Sequence, residues 1–368
     1  MSLIAFMFLG LTSLVGRGFL AIILCFITVC LIKCIKYLNK IECLSVFLLL
    51  TLNVIYYVFG DKNVSGVETT GFFSNIVLCL GIFFVSFYFS KQKSITDNQI
   101  IVVFSLLLLV TSYRFVVERA EKMLLHEDRR LTMNLAYSFV IYSPVLFLIR
   151  KKIIAVPYLL ISLFMIVTGA KRGAILIFVL FLAYYIYNMY VRQIKKFKIK
   201  YFLLGIILLT AVMMVAYNAY QTNVYLQMRV ENTMAGDSNG REIYYRYIWD
   251  KWSSEGNPIH FLFGYGFCSS IPMIGNHAHN DWMELMATSG LLGLCIYLFF
   301  YGTLISYRNR MNHNNDWYVL SSIIFVLFTK SLFSMSYCSV ENMAIFFLLG
   351  YVLGKNETKL AFISKKRI

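Results

Sequence analysis

Apolar stretches of about 15–22 residues recur along the chain, each bounded by short polar or basic connections. The pattern predicts spans near 2–15, 18–36, 42–60, 71–90, 99–117, 131–149, 153–169, 173–191, 201–219, 282–305, 317–336 and 340–354. Barrel-style alternation is lacking, and backbone groups inside lipid must be satisfied within the segment, so the spans read as helices. The expected fold class is all-α: a polytopic integral membrane protein with about 12 transmembrane helices and one long loop. Transmembrane helices 1–9 would occupy 1–219, the loop with an amphipathic helix 220–281, and helices 10–12 with a tail 282–368. Met1 to Val15 carry no basic leader and no small-residue cleavage site, and are expected to form a retained first span.

Composition strengthens this reading. The 368 residues are 59% hydrophobic and only 14% charged, against roughly 25% charged in a soluble domain. With 32 Phe, 26 Tyr and 4 Pro, disorder is excluded too. The net charge of +16 would suggest nucleic acid on a soluble chain, but here it is explained by position. Alternate connections and the tail hold 20 basic residues against four acidic ones, Glu42, Asp97, Asp316 and Glu357, and the remainder is balanced at 14 of each. One face carries the whole excess, which makes it cytoplasmic, puts both termini inside and leaves no need for a nucleic-acid partner. The eight cysteines form no disulfide framework, since most fall in or beside apolar runs.

Candidate chemistry sits on the opposite, outer face. Asn276-His277-Ala278-His279-Asn280-Asp281-Trp282-Met283-Glu284 runs straight into the tenth span. Polar residues entering a span there are costly unless they serve a purpose, and a histidine suits a general base because it titrates near working pH. A solvated loop histidine beside a helix cap is the plainer alternative. His277 and His279 as a metal pair lack a third ligand at a convincing spacing, so no metal is expected. Thr168-Gly169-Ala170-Lys171-Arg172 joins the seventh and eighth spans, and Lys171 and Arg172 run against the charge bias. Arg172 opens a helix whose free N–H groups and dipole favour an anion; a topological anchor is the other reading.

The outer loop repeats that arrangement. Asp237-Ser238-Asn239-Gly240-Arg241-Glu242 precedes Ile243, Tyr244, Tyr247, Ile248 and Trp252 at helical spacing, with Ser238 or Asn239 as N-cap. This predicts an amphipathic helix on the membrane surface, with Arg241 in its first turn as a second anion contact or a solvated charge. Arg17, Arg114 and Lys330 also approach the outer boundary, where snorkelling alone would account for them. Gly264-Tyr265-Gly266 is expected to be a turn, because no pore helix precedes it. Outward Arg side chains beside a His base suit a pyrophosphate-type anion, and since nucleotide sugars are cytoplasmic, an outward site implies a lipid-linked donor.

These residues resemble the O-antigen polymerase and O-antigen ligase family of bacterial membrane glycosyltransferases. His279-Asn280, nine residues, then Gly290-Leu291-Leu292-Gly293 is similar to the family's H-N-x9-G-x-x-G signature, and Arg172-Gly-Ala-Ile-Leu176 to its R-x3-L element. Asn239-Gly-Arg241, Trp249, Asn257-Pro258 and Gly264-Tyr-Gly266 follow its outer-loop run. The resemblance implies an inverting, metal-independent transfer without cofactor, on a GT-C-like fold with a periplasmic loop and active site, in the bacterial inner membrane. By position, His279 would activate the acceptor hydroxyl, while Arg172 and Arg241 would bind the donor pyrophosphate. Asn280, Asp281, Glu284, Arg114, Arg17 and Lys171 are candidate supporting residues, with Asp281 or Glu284 orienting His279, and Glu341 a weaker candidate. Partners implied are undecaprenyl-pyrophosphate-linked glycans as donor and acceptor, membrane lipids, a chain-length regulator and a flippase. The expected activity is O-antigen polymerase, with transfer of the glycan to the lipid A core by an O-antigen ligase as the alternative. A transporter or flippase is the further alternative, but it would place charges near span centres, and none is found there.

Overall fold

The computed structural model describes residues 14–60, 66–125, 132–193, 241–254 and 256–365, with isolated positions between 210 and 231. Every regular element among the described residues is helical. The α-helices are α1 (Leu14–Cys34), α2 (Ile41–Phe59), α3 (Gly66–Lys91), α4 (Asp97–Leu125), α5 (Ala136–Tyr142), α6 (Lys152–Thr168), α7 (Arg172–Gln193), α8 (Arg241–Ser253), α9 (Pro258–Phe263), α10 (Ser270–Ile274), α11 (Asp281–Arg310), α12 (Asn315–Phe333) and α13 (Met343–Lys365). Five have segments long and apolar enough to cross a membrane: α2, α3, α4, α11 and α12. Shorter apolar helices cover Ala136–Phe147, Ile153–Thr168 and Arg172–Asn188. The protein is thus an all-α polytopic membrane protein.

Nine predicted spans appear within one to eleven residues of their expected limits. The sixth, 131–149, is instead a short α5 followed by a 3-10 turn over Ser143–Phe147, where Pro144 removes a backbone donor. The first, 2–15, lies outside the described residues apart from its last two positions, and 201–219 apart from isolated ones. Helix α4 outruns its expected end at 117 because the polar continuation is itself helical, with Glu118 and Lys122 paired at 2.7 Å one turn apart. Its exposed Val102, Leu106, Leu109, Tyr113 and Val116 recur at helical spacing, the stripe a helix turns toward hydrocarbon.

The chain divides into two compact units, one of 1–103 with 239–368, the other of 104–238. In the first, α13 packs along α3 more extensively than any other described pair. Gly350 and Gly354, four residues apart, make this approach possible. A Cβ on Gly354 would lie 2.5 Å from the Phe87 carbonyl oxygen, and one on Gly350 would lie 3.0 Å from the Phe87 nitrogen. One end of this unit is closed by ion pairs. Glu42 meets Arg310, Glu357 meets Lys40 at 2.7 Å, and Lys355 bridges Asp97 and Asp316 at 2.6 and 2.8 Å. These are the four acidic residues that the charge count assigned to the basic face, each paired with a basic residue of that same face. In the second unit α5 packs on α6 and α7, and Arg119 Nη1 donates to the Thr168 carbonyl at the end of α6.

Candidate functional site

The predicted motif around His279 lies at the other end of the first unit, where α11 begins and α12 ends. Asn280 is the N-cap of α11: its Oδ1 accepts from the Trp282 and Met283 N–H groups at 2.9 and 3.2 Å. Its Nδ2 donates to the Leu332 carbonyl at 3.1 Å, so the cap also holds the last turn of α12. Trp282 Nε1 reaches Ser331 Oγ at 3.0 Å. Arg241 Nη1 donates to the next carbonyl, that of Phe333, at 3.0 Å. The open carbonyls of one helix end therefore gather Asn280 and Arg241 side by side.

Tyr245 follows four residues after Arg241, on the side of α8 that buries Ile248 and Trp252. Burial pushes the Tyr245 phenol up, opposed by the nearby charge of Arg241. The apolar residues of α8 do not share one face as expected. Ile248 and Trp252 turn inward against the protein, while Ile243, Tyr244, Tyr247 and Trp249 are exposed. The expected caps Ser238 and Asn239 lie outside the described residues.

His279 is exposed and has φ +52°, a conformation rare for a residue with a Cβ. It is pinned on both sides. Asn280 follows it, and Ala278, before it, donates its N–H to Glu284 Oε2 at 2.9 Å. Glu284 is buried and also accepts from Ser270 Oγ at 2.7 Å. The histidine facing this carboxylate is His277, with Nδ1 3.5 Å from Oε1 and its ring stacked on Phe72 at 4.4 Å. Asp281, fully buried, turns toward the segment between α12 and α13, accepting from the Ser336 N–H at 3.0 Å, from the Ser336 hydroxyl, and from Tyr297 at 2.6 Å. Both carboxylates thus brace the backbone around the motif.

Lys330 is no snorkelling side chain. Only 3% exposed, it donates to the Met335 carbonyl at 2.5 Å and to Asn342 Oδ1 at 2.9 Å. Charge at a span end pointed to a surface position; two polar acceptors in the segment after α12 draw it inward instead.

The glycines of the motif break α11. Gly290 has φ +58° and ψ −147°, outside helical geometry, and so frees carbonyls one turn earlier. Tyr265 and Gly266 N–H groups fill that need, donating to Ala287 and Thr288 at 2.8 and 3.1 Å, while Ser269 Oγ donates to Ala287 at 2.7 Å. Gly264-Tyr265-Gly266 is thus a turn, as expected, but one docked on the broken helix. Tyr265 in turn donates to the Lys251 carbonyl at 2.9 Å, and Trp252 to Phe261 at 3.0 Å, which ties α8 and α9 to the same place.

The remaining predicted residues fall in the second unit or outside description. Arg172 is the first residue of α7 and Lys171 lies in the preceding turn, where Ala170 takes φ +50°. Arg114 is exposed on α4. Arg17 lies in the first turn of α1, and its side chain is outside the described residues. Sequence reading missed Tyr245, Ser270, Ser336 and Arg119; of these only Tyr245 had a signal, its i,i+4 spacing from Arg241.

Residues 157–298 match a protein family described as O-antigen ligase. That interval is under half of the chain, and it contains Arg172, Arg241, Tyr245, Gly264, His279, Asn280 and Gly290. The likeness is to enzymes of the O-antigen ligase and polymerase kind and does not separate the two. No curated protein matches the chain.

Proposed function

We propose that this protein is an O-antigen polymerase, a glycosyltransferase joining undecaprenyl-pyrophosphate-linked repeat units at the periplasmic face of the bacterial inner membrane. The observation that carries this reading is the placement of Arg241 beside the His279-Asn280 pair, within the interval similar to the O-antigen ligase family. A cationic fork and an exposed histidine are the two groups that such a transfer requires.

In the reaction, His279 takes the proton of an acceptor sugar hydroxyl as its oxygen bonds the anomeric carbon of the donor. The carbon–oxygen bond to pyrophosphate breaks with inversion, and the electron pair leaves with the undecaprenyl pyrophosphate. The Arg241 guanidinium takes up the charge developing there, bidentately and without a metal ion. Both substrates are lipid-linked, the growing glycan acting as donor and a single repeat unit as acceptor. A flippase would supply the unit and a chain-length regulator would limit the product. The basic face closed by ion pairs is cytoplasmic in this arrangement, with both termini inside. The choice of polymerase over ligase is by analogy with the wide sequence variation of polymerases, a character this Tyr-, Phe- and Ile-rich chain shares.

The test is a gene deletion in the host, followed by lipopolysaccharide gels after restoring wild type, His279→Ala, Arg172→Ala or Arg241→Ala. A core-plus-one-repeat band in place of the ladder is the polymerase result. Loss of every O-antigen band, with long glycan retained on its lipid carrier, would make the protein a ligase. An unchanged ladder in the deletion would overturn the reading.

A further inference from the structure

In the first unit, α1, α3, the start of α4 and Phe347 of α13 border an apolar groove of about 500 Å³, a volume typical of small-molecule sites. It runs over Ile22 and Phe26 on α1 and over Val85 and Phe89 on α3, with the Phe26 and Phe89 rings stacked at 5.9 Å. Except for Ser94 and Gln99, every described lining residue is Ile, Val or Phe. Such walls suit hydrocarbon and would leave the hydroxyls of a sugar unpaired.

The two polar exceptions sit together at one end. Gln99 Oε1 accepts from the Thr96 N–H at 2.9 Å, and Thr96 Oγ1 accepts from the Gln99 N–H at 3.4 Å, a capping box at the start of α4. The Gln99 amide N–H groups and the Ser94 hydroxyl are left without a partner among the described residues. Two exposed lysines flank them. Lys33 lies two turns beyond Phe26 on the same face of α1, 5.4 Å from the Tyr88 ring centroid, and Lys93 directly precedes Ser94. Neither has an acidic partner among the described residues, and Asp97, close by in sequence, is engaged by Lys355 at 2.6 Å. The mouth thus carries two cations and two neutral donors with no opposing charge.

We propose that this groove holds one acyl chain of an anionic phospholipid, whose phosphate meets Lys33 and Lys93 with Ser94 and Gln99 as neutral donors. The length fits. Ile22 to Lys33 is eleven residues, about 16 Å of helix, close to half of a hydrocarbon core roughly 30 Å thick. A chain anchored at the lysines therefore fills the groove within one leaflet, whereas a polyprenyl chain outruns it. The mouth lies at the end of the unit closed by ion pairs, away from His279, so the site is separate from the proposed glycosyl transfer and does not depend on it. Each basic residue beside an anionic headgroup contributes about fivefold in affinity.

The experiment titrates the full chain, purified in detergent, with phosphatidylglycerol or phosphatidylethanolamine and counts bound lipid by native mass spectrometry. Wild type is expected to hold phosphatidylglycerol about tenfold or more tighter than phosphatidylethanolamine. Lys33→Gln with Lys93→Gln should abolish that preference and leave phosphatidylethanolamine unchanged, while Arg308→Gln, elsewhere on the basic face, keeps it. Val85→Trp, which fills the groove, should weaken both lipids. Both lysines are exposed, so their substitution decides the matter even where Val85→Trp does not fold. Equal affinity for the two lipids in wild type, or an unchanged preference in the lysine pair, would overturn the proposal. So would an equal loss in Arg308→Gln, or displacement of phosphatidylglycerol by equimolar undecaprenyl phosphate. A photo-crosslinking side chain at position 26 should capture lipid; capture of residues 1–13 of the same chain would assign the groove to the protein itself and contradict the proposal.

Discussion

Gly264 and Gly290 lie backbone against backbone, each at positive φ, and neither has room for a side chain. A Cβ on Gly264 would come within 2.5 Å of the Ser289 nitrogen, and one on Gly290 within 2.6 Å of the Gly264 nitrogen. This contact docks the Gly264-Tyr265-Gly266 turn on the break in α11, with Tyr265 and Gly266 supplying donors for the carbonyls the break releases. Gly290→Ala and Gly264→Ala are each expected to destabilise the protein by roughly 2–4 kcal/mol, combining left-handed strain with overpacking. Thermal unfolding of the detergent-purified variants checks this, and an unfolding temperature equal to wild type would show that the contact contributes nothing.

Asn280 has two separable duties. Its Oδ1 caps α11, and its Nδ2 holds Leu332. Asn280→Asp keeps the cap acceptor and loses the amide donor; Asn280→Ala loses both. The expected cost for Ala is about 1–2 kcal/mol from the cap, with a further 1 kcal/mol or so from the orphaned Leu332 carbonyl. Aspartate should retain most of the stability while still lowering activity. If the two variants unfold at the same temperature, the cap is not what Asn280 provides.

How far the sequence anticipated all this follows from what is local and what is not. The ends of α2 and α6 were legible because apolar runs terminate there in Gly60 and Gly169. The N-cap was also visible, since Asn280 precedes an apolar helix. The break at Gly290 was not, because it sits inside an uninterrupted apolar stretch and depends on donors from residues 265 and 266. The partners of Asp281 were hidden for the same reason. Ser336 is 55 residues away, and no periodicity links a carboxylate at one helix start to a loop behind another. Proximity to His279 in the chain suggested that Asp281 or Glu284 would orient the imidazole; what it could not suggest is the contacts of Asp281 with Ser336 and Tyr297 and of Glu284 with Ser270, Ala278 and His277.

The ion pairs of Glu42, Asp97, Asp316 and Glu357 gather at the end of the first unit that holds the C-terminus of α11, the other end of a 30-residue helix from Asp281. Reporter fusions should therefore report opposite sides: a cytoplasm-active fluorescent protein at the C-terminus, and a phosphatase active only outside when inserted in 220–281. The same compartment for both would contradict the topology, and with it an outward-facing His279.

The central claim is that His279 is the base of a glycosyl transfer and not a solvated loop residue. The direct measurement is the initial rate at which purified protein converts undecaprenyl-pyrophosphate-linked repeat units into longer glycan, with wild type and His279→Ala compared at equal donor occupancy. Loss of a positioned base is expected to lower the rate by about 10²–10⁴-fold while undecaprenyl pyrophosphate still binds. A His279→Ala protein that extends glycan at the wild-type rate would contradict the account.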